Sequence, residues 1–183
     1  MPQALSFIFG TILAVIVMFY VPTYQNLEKQ EDIAYLNTYQ VVTDFVDNVR
    51  TKGYITPQMY EDFQQKLHVG DVLYNVEMVH KHKYYHPVYT DPSDPTTFTG
   101  KYVVDYDEYY WEQIKEQLYG KNAGPEEDRM YKLEEGDYFG VYVENKTKFK
   151  STMLLEFLTG KIGDHDPVVI SVPYGGMVLN EDY

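Results

Sequence analysis

His80-Lys81-His82, with His86 four residues further on, is the group of side chains in this chain best suited to chemistry. In an extended segment alternate residues project from one face, so His80 and His82 would present two imidazoles side by side. That spacing suits two nitrogen ligands on a zinc ion, with His86 as a third. Lys81 and Lys83 bring positive charge beside any such ion, and no carboxylate completes a recognised ligand spacing. The simpler reading of the same residues is the solvated end of a strand.

The remaining polar clusters give less. Asp105-Tyr106-Asp107-Glu108, Glu126-Glu127-Asp128 and Glu134-Glu135-Gly136-Asp137 lack the alternating carboxylates, central glycine and distant bidentate glutamate of a calcium loop. Helix capping and solvated turns account for them. Asp164-His165-Asp166 has two members of a hydrolytic triad, but no serine sits in a Gly-x-Ser-x-Gly elbow. There is no glycine-rich phosphate loop, and Asn145-Lys146-Thr147 is a formal glycosylation sequon. With no cysteine, the chain has no disulfide, no thiol nucleophile and no Cys-based metal site. No catalytic residues emerge. The expectation is a non-enzymatic protein with no cofactor, unless a metal ion sits at His80, His82 and His86.

Among the elements that must carry these residues, the first is unlike the rest. Residues 1–27 contain no charged side chain, and Ala4 to Val21 is almost wholly apolar. Eighteen residues rising about 1.5 Å each reach the lower limit for crossing a hydrocarbon core of about 30 Å. Tyr20 and Tyr24 suit the headgroup level. Met1-Pro2-Gln3 has no basic residue and the run ends in Phe19-Tyr20-Val21-Pro22, too bulky for signal cleavage, so a retained anchor is expected over residues 1–23. Gly10 and Ala14, one turn apart, offer a small-residue face for helix packing in a membrane. Pro22 should kink or end the helix where it leaves the bilayer.

Helical spacing then resumes. Tyr35, Tyr39, Val42, Val46 and Val49 recur at steps of four and three, which predicts an amphipathic stalk over 24–52, stopped by Gly53. Its stripe can lie on the following domain or on neighbouring copies. In the second case both Gly10→Leu and Val42→Asp should disrupt assembly without unfolding the head. Residues 53–183 form that head. Thr56-Pro57 starts a helix with Met59, Tyr60, Phe63 and Leu67 on one face. His68 to Asp71 reads as a turn, Val72 to Lys83 as a strand, and Pro87 to Gly100 as a surface loop. Asp105 or Asp107 caps a short helix carrying Tyr110, Trp111, Ile114 and Leu118, and ending at Gly120. Lys121 to Arg129 reads as a loose polar segment. Tyr138–Glu144, Met153–Leu158 and Val168–Val172 read as strands, and Gly175-Gly176 as a hairpin turn. Segregated helices and strands make an α+β head with an antiparallel sheet.

The formal net charge of -13 falls entirely outside the apolar segment, which excludes nucleic acid and anionic lipid as electrostatic partners of the head. Twenty tyrosines favour packing, either in the core or against another protein. The acidic, cysteine-free head is expected outside the cytoplasm, held to the cell membrane by a single-pass anchor.

An uncharged apolar amino-terminal helix continuing as an amphipathic helix into a small α+β head resembles type IV pilin-like proteins, and in particular TadE-type minor pseudopilins of tight-adherence systems. The likeness covers residues 4 to about 52 by pattern. It implies a structural subunit of a surface or secretion apparatus, whose partners are the membrane and other subunits packed through the amino-terminal helix. Two other readings share the anchor: an extracellular binding module using the tyrosine-rich head or Pro87–Gly100, and an anchored metal-binding protein.

Overall fold

A computed structural model describes residues 2–68, 72–120, 125, 129–161, 163 and 170–183. The dominant element is one helix, α1 (Pro2–Lys52). It runs without interruption through Pro22, so the proline does not end it. Thr23, the next residue, donates its hydroxyl to the Phe19 carbonyl at 2.8 Å, within the same turn.

Along α1 the surroundings change completely. Phe7, Phe9, Ile12, Ile16 and Phe19 are all exposed. From Thr38 onward a stripe of Val41, Val42, Phe45, Val46 and Val49 is buried in the head. Of the two uses left open for the stalk stripe, packing on the head is seen for its carboxy-terminal part. Val42, Val46 and Val49 lie in the head core, while Tyr35 and Tyr39 stay partly exposed, with Ile33 and Leu36 outside as well. Val42 has no exposed surface, so Val42→Asp would damage the head itself. Gly53, in a left-handed conformation (φ 77°), ends the helix as expected. The last carbonyls of α1 are not left bare: the amides of Leu179 and Asp182 reach Arg50 and Lys52, each at 2.8 Å.

Two short strands, β1 (Tyr54–Ile55) and β4 (Tyr131–Lys132), pair with each other. Between them comes α2 (Pro57–Leu67), capped by the Thr56 hydroxyl, which accepts from the Met59 amide at 3.2 Å. Phe63 of α2 stacks on Phe45 of α1 with ring centroids 4.4 Å apart. The main sheet is antiparallel, ordered β3-β2-β5-β6, from β2 (Tyr74–Tyr89), β3 (Phe98–Tyr110), β5 (Tyr138–Asn145) and β6 (Ser171–Met177). The core lies where α1 covers β5 and β6, with Phe139, Val141, Val143 and Val172 beneath it and α2 packed on α1 through Phe63. An α+β head with antiparallel sheets is what the structure contains.

Several segments differ from expectation. β2 and β3 extend into Pro87–Gly100, leaving a short turn with a 3-10 stretch at Pro95–Thr97. β5 pairs with β2 only as far as Lys81↔Tyr138, so the outer part of the β2–β3 pair projects as a two-stranded arm. Asp105 and Asp107 are strand residues of β3 facing Tyr84 and His82, not helix caps. Helix α3 (Trp111–Tyr119) instead begins after Tyr110, whose amide donates to the Gln113 side chain at 2.8 Å. Ile114 and Leu118 are buried, as their spacing predicts.

Met153–Leu158 is helical, within α4 (Lys150–Thr159), and not a strand. A run this short has no decisive period. Left-handed Gly160 at its end (φ 69°), and burial of Ser151 and Glu156 on its inner side, select the helix. Gly175-Gly176 is not a turn: both residues lie inside β6. A Cβ at Gly175 would fall 2.4 Å from the Tyr138 hydroxyl, and one at Gly176 2.6 Å from the Arg50 guanidinium carbon. These glycines let a ring and a guanidinium lie flat on the strand.

Candidate functional site

His80 sits at the root of the projecting arm, on the last stretch of β2 paired on both sides, opposite Tyr109 of β3 and Phe139 of β5. It is 4% exposed. The alternation of β2 points His80 and His82 to the same face, with ring centroids 6.1 Å apart. What completes the group is Asp137, from the turn that leads into β5. Its carboxylate is 2.8 Å from His80 Nε2 and 3.1 Å from His82 Nδ1. It also accepts the amides of Lys83 (3.0 Å) and Glu134 (2.9 Å). On the far side of His80, Nδ1 meets the Tyr131 hydroxyl at 2.7 Å, and Tyr109 stacks on the ring.

Burial pushes the His80 imidazole below its ordinary value, against the pull of the Asp137 carboxylate. Burial also works against ionised Asp137, but the amides of Lys83 and Glu134 and the two imidazoles outweigh it and hold the carboxyl below its usual range. Tyr131 is buried and its hydroxyl is held well above its usual value. The consistent proton arrangement is Tyr131 O–H donating to Nδ1 of a neutral His80, and its Nε2–H donating to an ionised Asp137.

The expected ligands divide. Among the described residues, His80, His82 and Asp137 form a group whose ligand atoms all lie within 4.8 Å of one another. His86 is not part of it. It is exposed four residues along β2 from His82, about 13 Å at strand rise, with Tyr84 between them. Asp137 was invisible as a ligand from local spacing, because a turn carboxylate gives no sign of facing inward. Lys81 and Lys83 project from the opposite face. Lys81 pairs with Glu108 at 2.6 Å, and the Lys83 ammonium lies 4.9 Å from the centre of the Tyr85 ring. A cleft of about 540 Å³ opens onto the group, lined by Gln113, Gln117, Lys132, Glu134 and Tyr183 among others.

Asn145 of the sequon is buried. Its side chain donates to the Thr147 carbonyl (2.9 Å) and accepts the Ile170 amide (2.7 Å), so it is a structural residue in the folded chain. Asp164-His165-Asp166 and Glu126-Glu127-Asp128 lie outside the described residues, as do Val69–Asp71, Lys121–Gly124 and the first two residues of Val168–Val172.

The second candidate is the free half of α1. It is long and apolar enough to cross a membrane, with mean hydropathy 2.0 in a window of which none is buried. Gly10 and Ala14 are both exposed there, and a Cβ built on Gly10 would meet nothing within 4 Å. Compared with known proteins, the chain matches no family model, no curated protein and no solved structure.

Proposed function

We propose that this chain is a membrane-anchored, non-enzymatic assembly subunit of pilin-like design, part of a surface or secretion apparatus, with its head outside the cytoplasm. The observation that carries the reading is the division of α1. One end of a single unbroken helix is part of the core of the head, and the other is an apolar rod whose large side chains are exposed among the described residues. A rod of that kind is insoluble in water. Lipid, or the helices of other subunits, satisfies it. Helix α4 packs beside the rod's base, where Ser151 bonds Glu31, and exposes Met153 and Phe157 elsewhere along its length.

The absence of native cysteine makes the test direct. Gly10→Cys and Ala14→Cys, each alone, should cross-link the full-length chain to itself or to another subunit within native membranes. A cysteine at Glu61, on α2, should not. A cysteine at Lys101 on the arm should react with a membrane-impermeant maleimide in intact cells. Recovery of the full-length chain as a soluble monomer would overturn the anchor, and an unlabelled arm in intact cells would overturn the orientation.

A second reading, an anchored binding module, is favoured by the arm, where Tyr85, Tyr102 and Tyr106 are exposed on one face. It predicts that the chain lacking residues 1–27 keeps its ligand, whereas an assembly subunit loses its partners with the rod.

A further inference from the structure

We propose that His80, His82 and Asp137 bind one divalent transition-metal ion of the zinc class, with water from the adjoining cleft completing its coordination. The donors are His80 Nε2, His82 Nδ1 and one oxygen of Asp137.

Four observations lead there. Two imidazoles and a carboxylate are the borderline donors that zinc, cobalt and nickel accept, whereas calcium and magnesium require oxygen throughout. The spacing is close to that of a filled site. Zinc about 2.0–2.1 Å from each ligand places neighbouring donors roughly 3.3 Å apart in a tetrahedron. Here the nitrogen-to-oxygen separations are 2.8 and 3.1 Å, and all donor atoms fall within 4.8 Å. The nitrogen-to-oxygen pairs need only open slightly to admit the ion, while the two imidazole nitrogens, within 4.8 Å of each other, would have to draw together by up to about 1.5 Å.

The surrounding shell already orients the ligands. Tyr131 fixes the His80 ring from its other nitrogen, and the amides of Lys83 and Glu134 fix both oxygens of Asp137. Finally, the site holds a buried carboxylate with no lysine or arginine side chain against it among the described residues. Asp137 is 1% exposed, while Lys81 and Lys83 lie on the other face of the strand. Lys132, the cation that lines the cleft, is drawn over the Tyr183 ring at 4.3 Å. Glu134, also in the cleft, adds negative charge.

The ring protons would be redistributed by exchange with water from the adjoining cleft. When Nε2 of His80 takes the ion, its proton is carried by Nδ1, which then donates to the Tyr131 oxygen. His82 makes the corresponding exchange, binding through Nδ1 with its proton on Nε2. The ion would tie β2 to the turn before β5, at the base of the arm.

The test uses the full-length chain in detergent, treated with chelator and then titrated with Co²⁺, whose visible absorption reports nitrogen and oxygen ligation. Zn²⁺ is then added as competitor. The expected result is one equivalent of Co²⁺, displaced by Zn²⁺, with a rise in the thermal midpoint of the head. His82→Ala is the decisive variant, because it leaves the Tyr131–His80–Asp137 chain of hydrogen bonds intact and the head folded. It should weaken binding at least about 10-fold, while His86→Ala leaves it unchanged. No saturable Co²⁺ binding by the folded wild-type chain would overturn the proposal. So would binding that survives His82→Ala, or binding lost in His86→Ala.

Discussion

Asp137 holds three segments of the chain at once: β2 through His80, His82 and the Lys83 amide, its own turn through the Glu134 amide, and β4 indirectly through Tyr131. Removing it strands two amides and a buried imidazole without an acceptor. Asp137→Ala should therefore cost about 3 to 5 kcal/mol in urea denaturation, against less than about 1 kcal/mol for exposed His86→Ala. Equal losses from the two would show that the network does not form. Further out on the arm, Tyr84 donates to Asp107, and that bond pushes its ionisation from an ordinary 10.0 up to about 12. The folded value is raised, so the contact is complete below pH 10 and is lost as pH climbs through about 12. The difference between ultraviolet titrations of wild type and Tyr84→Phe should isolate that late step, and Asp107→Asn should return it toward 10. A Tyr84 that already titrates near 10 in wild type would remove the bond. Residues of this kind are only half legible in a sequence. His80 and His82 are two apart on one strand, a local relation. Asp137 joins them only because β5 pairs with β2, and nothing within 50 residues of His82 announces that pairing.

Among the elements, those with a clear period or cap are the ones that spacing predicts: α2 behind Thr56-Pro57, the buried Ile114 and Leu118 of α3, and β5 from Tyr138. The exceptions have a common cause in partners distant in the chain. Asp105 and Asp107 satisfy a capping pattern, yet cross-strand pairing with β2 claims them. Gly175-Gly176 satisfies a hairpin pattern, but its lack of side chains serves Tyr138 and Arg50 instead. That second reading is testable. A methyl at Gly175 would lie 2.8 Å from the Gly140 backbone and 2.9 Å from the Phe139 carbonyl, contacts that cannot relax by rotating a side chain. Gly175→Ala should cost about 1 to 3 kcal/mol in thermal unfolding. Gly10→Ala, where the added carbon meets open space, should leave the head's unfolding unchanged. If Gly175→Ala is silent, β5 and β6 do not approach as closely as described.

For the whole molecule, one helix serves as both core and rod, so substitutions along α1 should separate into two classes. Val42 and Leu36 are six residues apart on the same helix, yet Val42 is fully enclosed by the head and Leu36 is 63% exposed. An aspartate at position 42 would be an unpaired charge in an apolar core. Val42→Asp should therefore destabilise the head by roughly 4 kcal/mol or more, and lose partners only because it unfolds. Leu36→Asp and Ile33→Asp place the same charge on the exposed face just beyond the apolar segment. They should leave the head's thermal midpoint within about 1–2 °C, since surface changes rarely exceed ~0.5 kcal/mol, while reducing cross-linking through Gly10→Cys if subunits pack side by side along α1. Paired measurement of melting and cross-linking separates the outcomes. Loss of cross-linking with an intact head would extend the subunit contact from the membrane up to the base of the head. Unchanged cross-linking in both exposed variants would confine that contact to the apolar half, where Gly10 and Ala14 alone would have to bring the helices together.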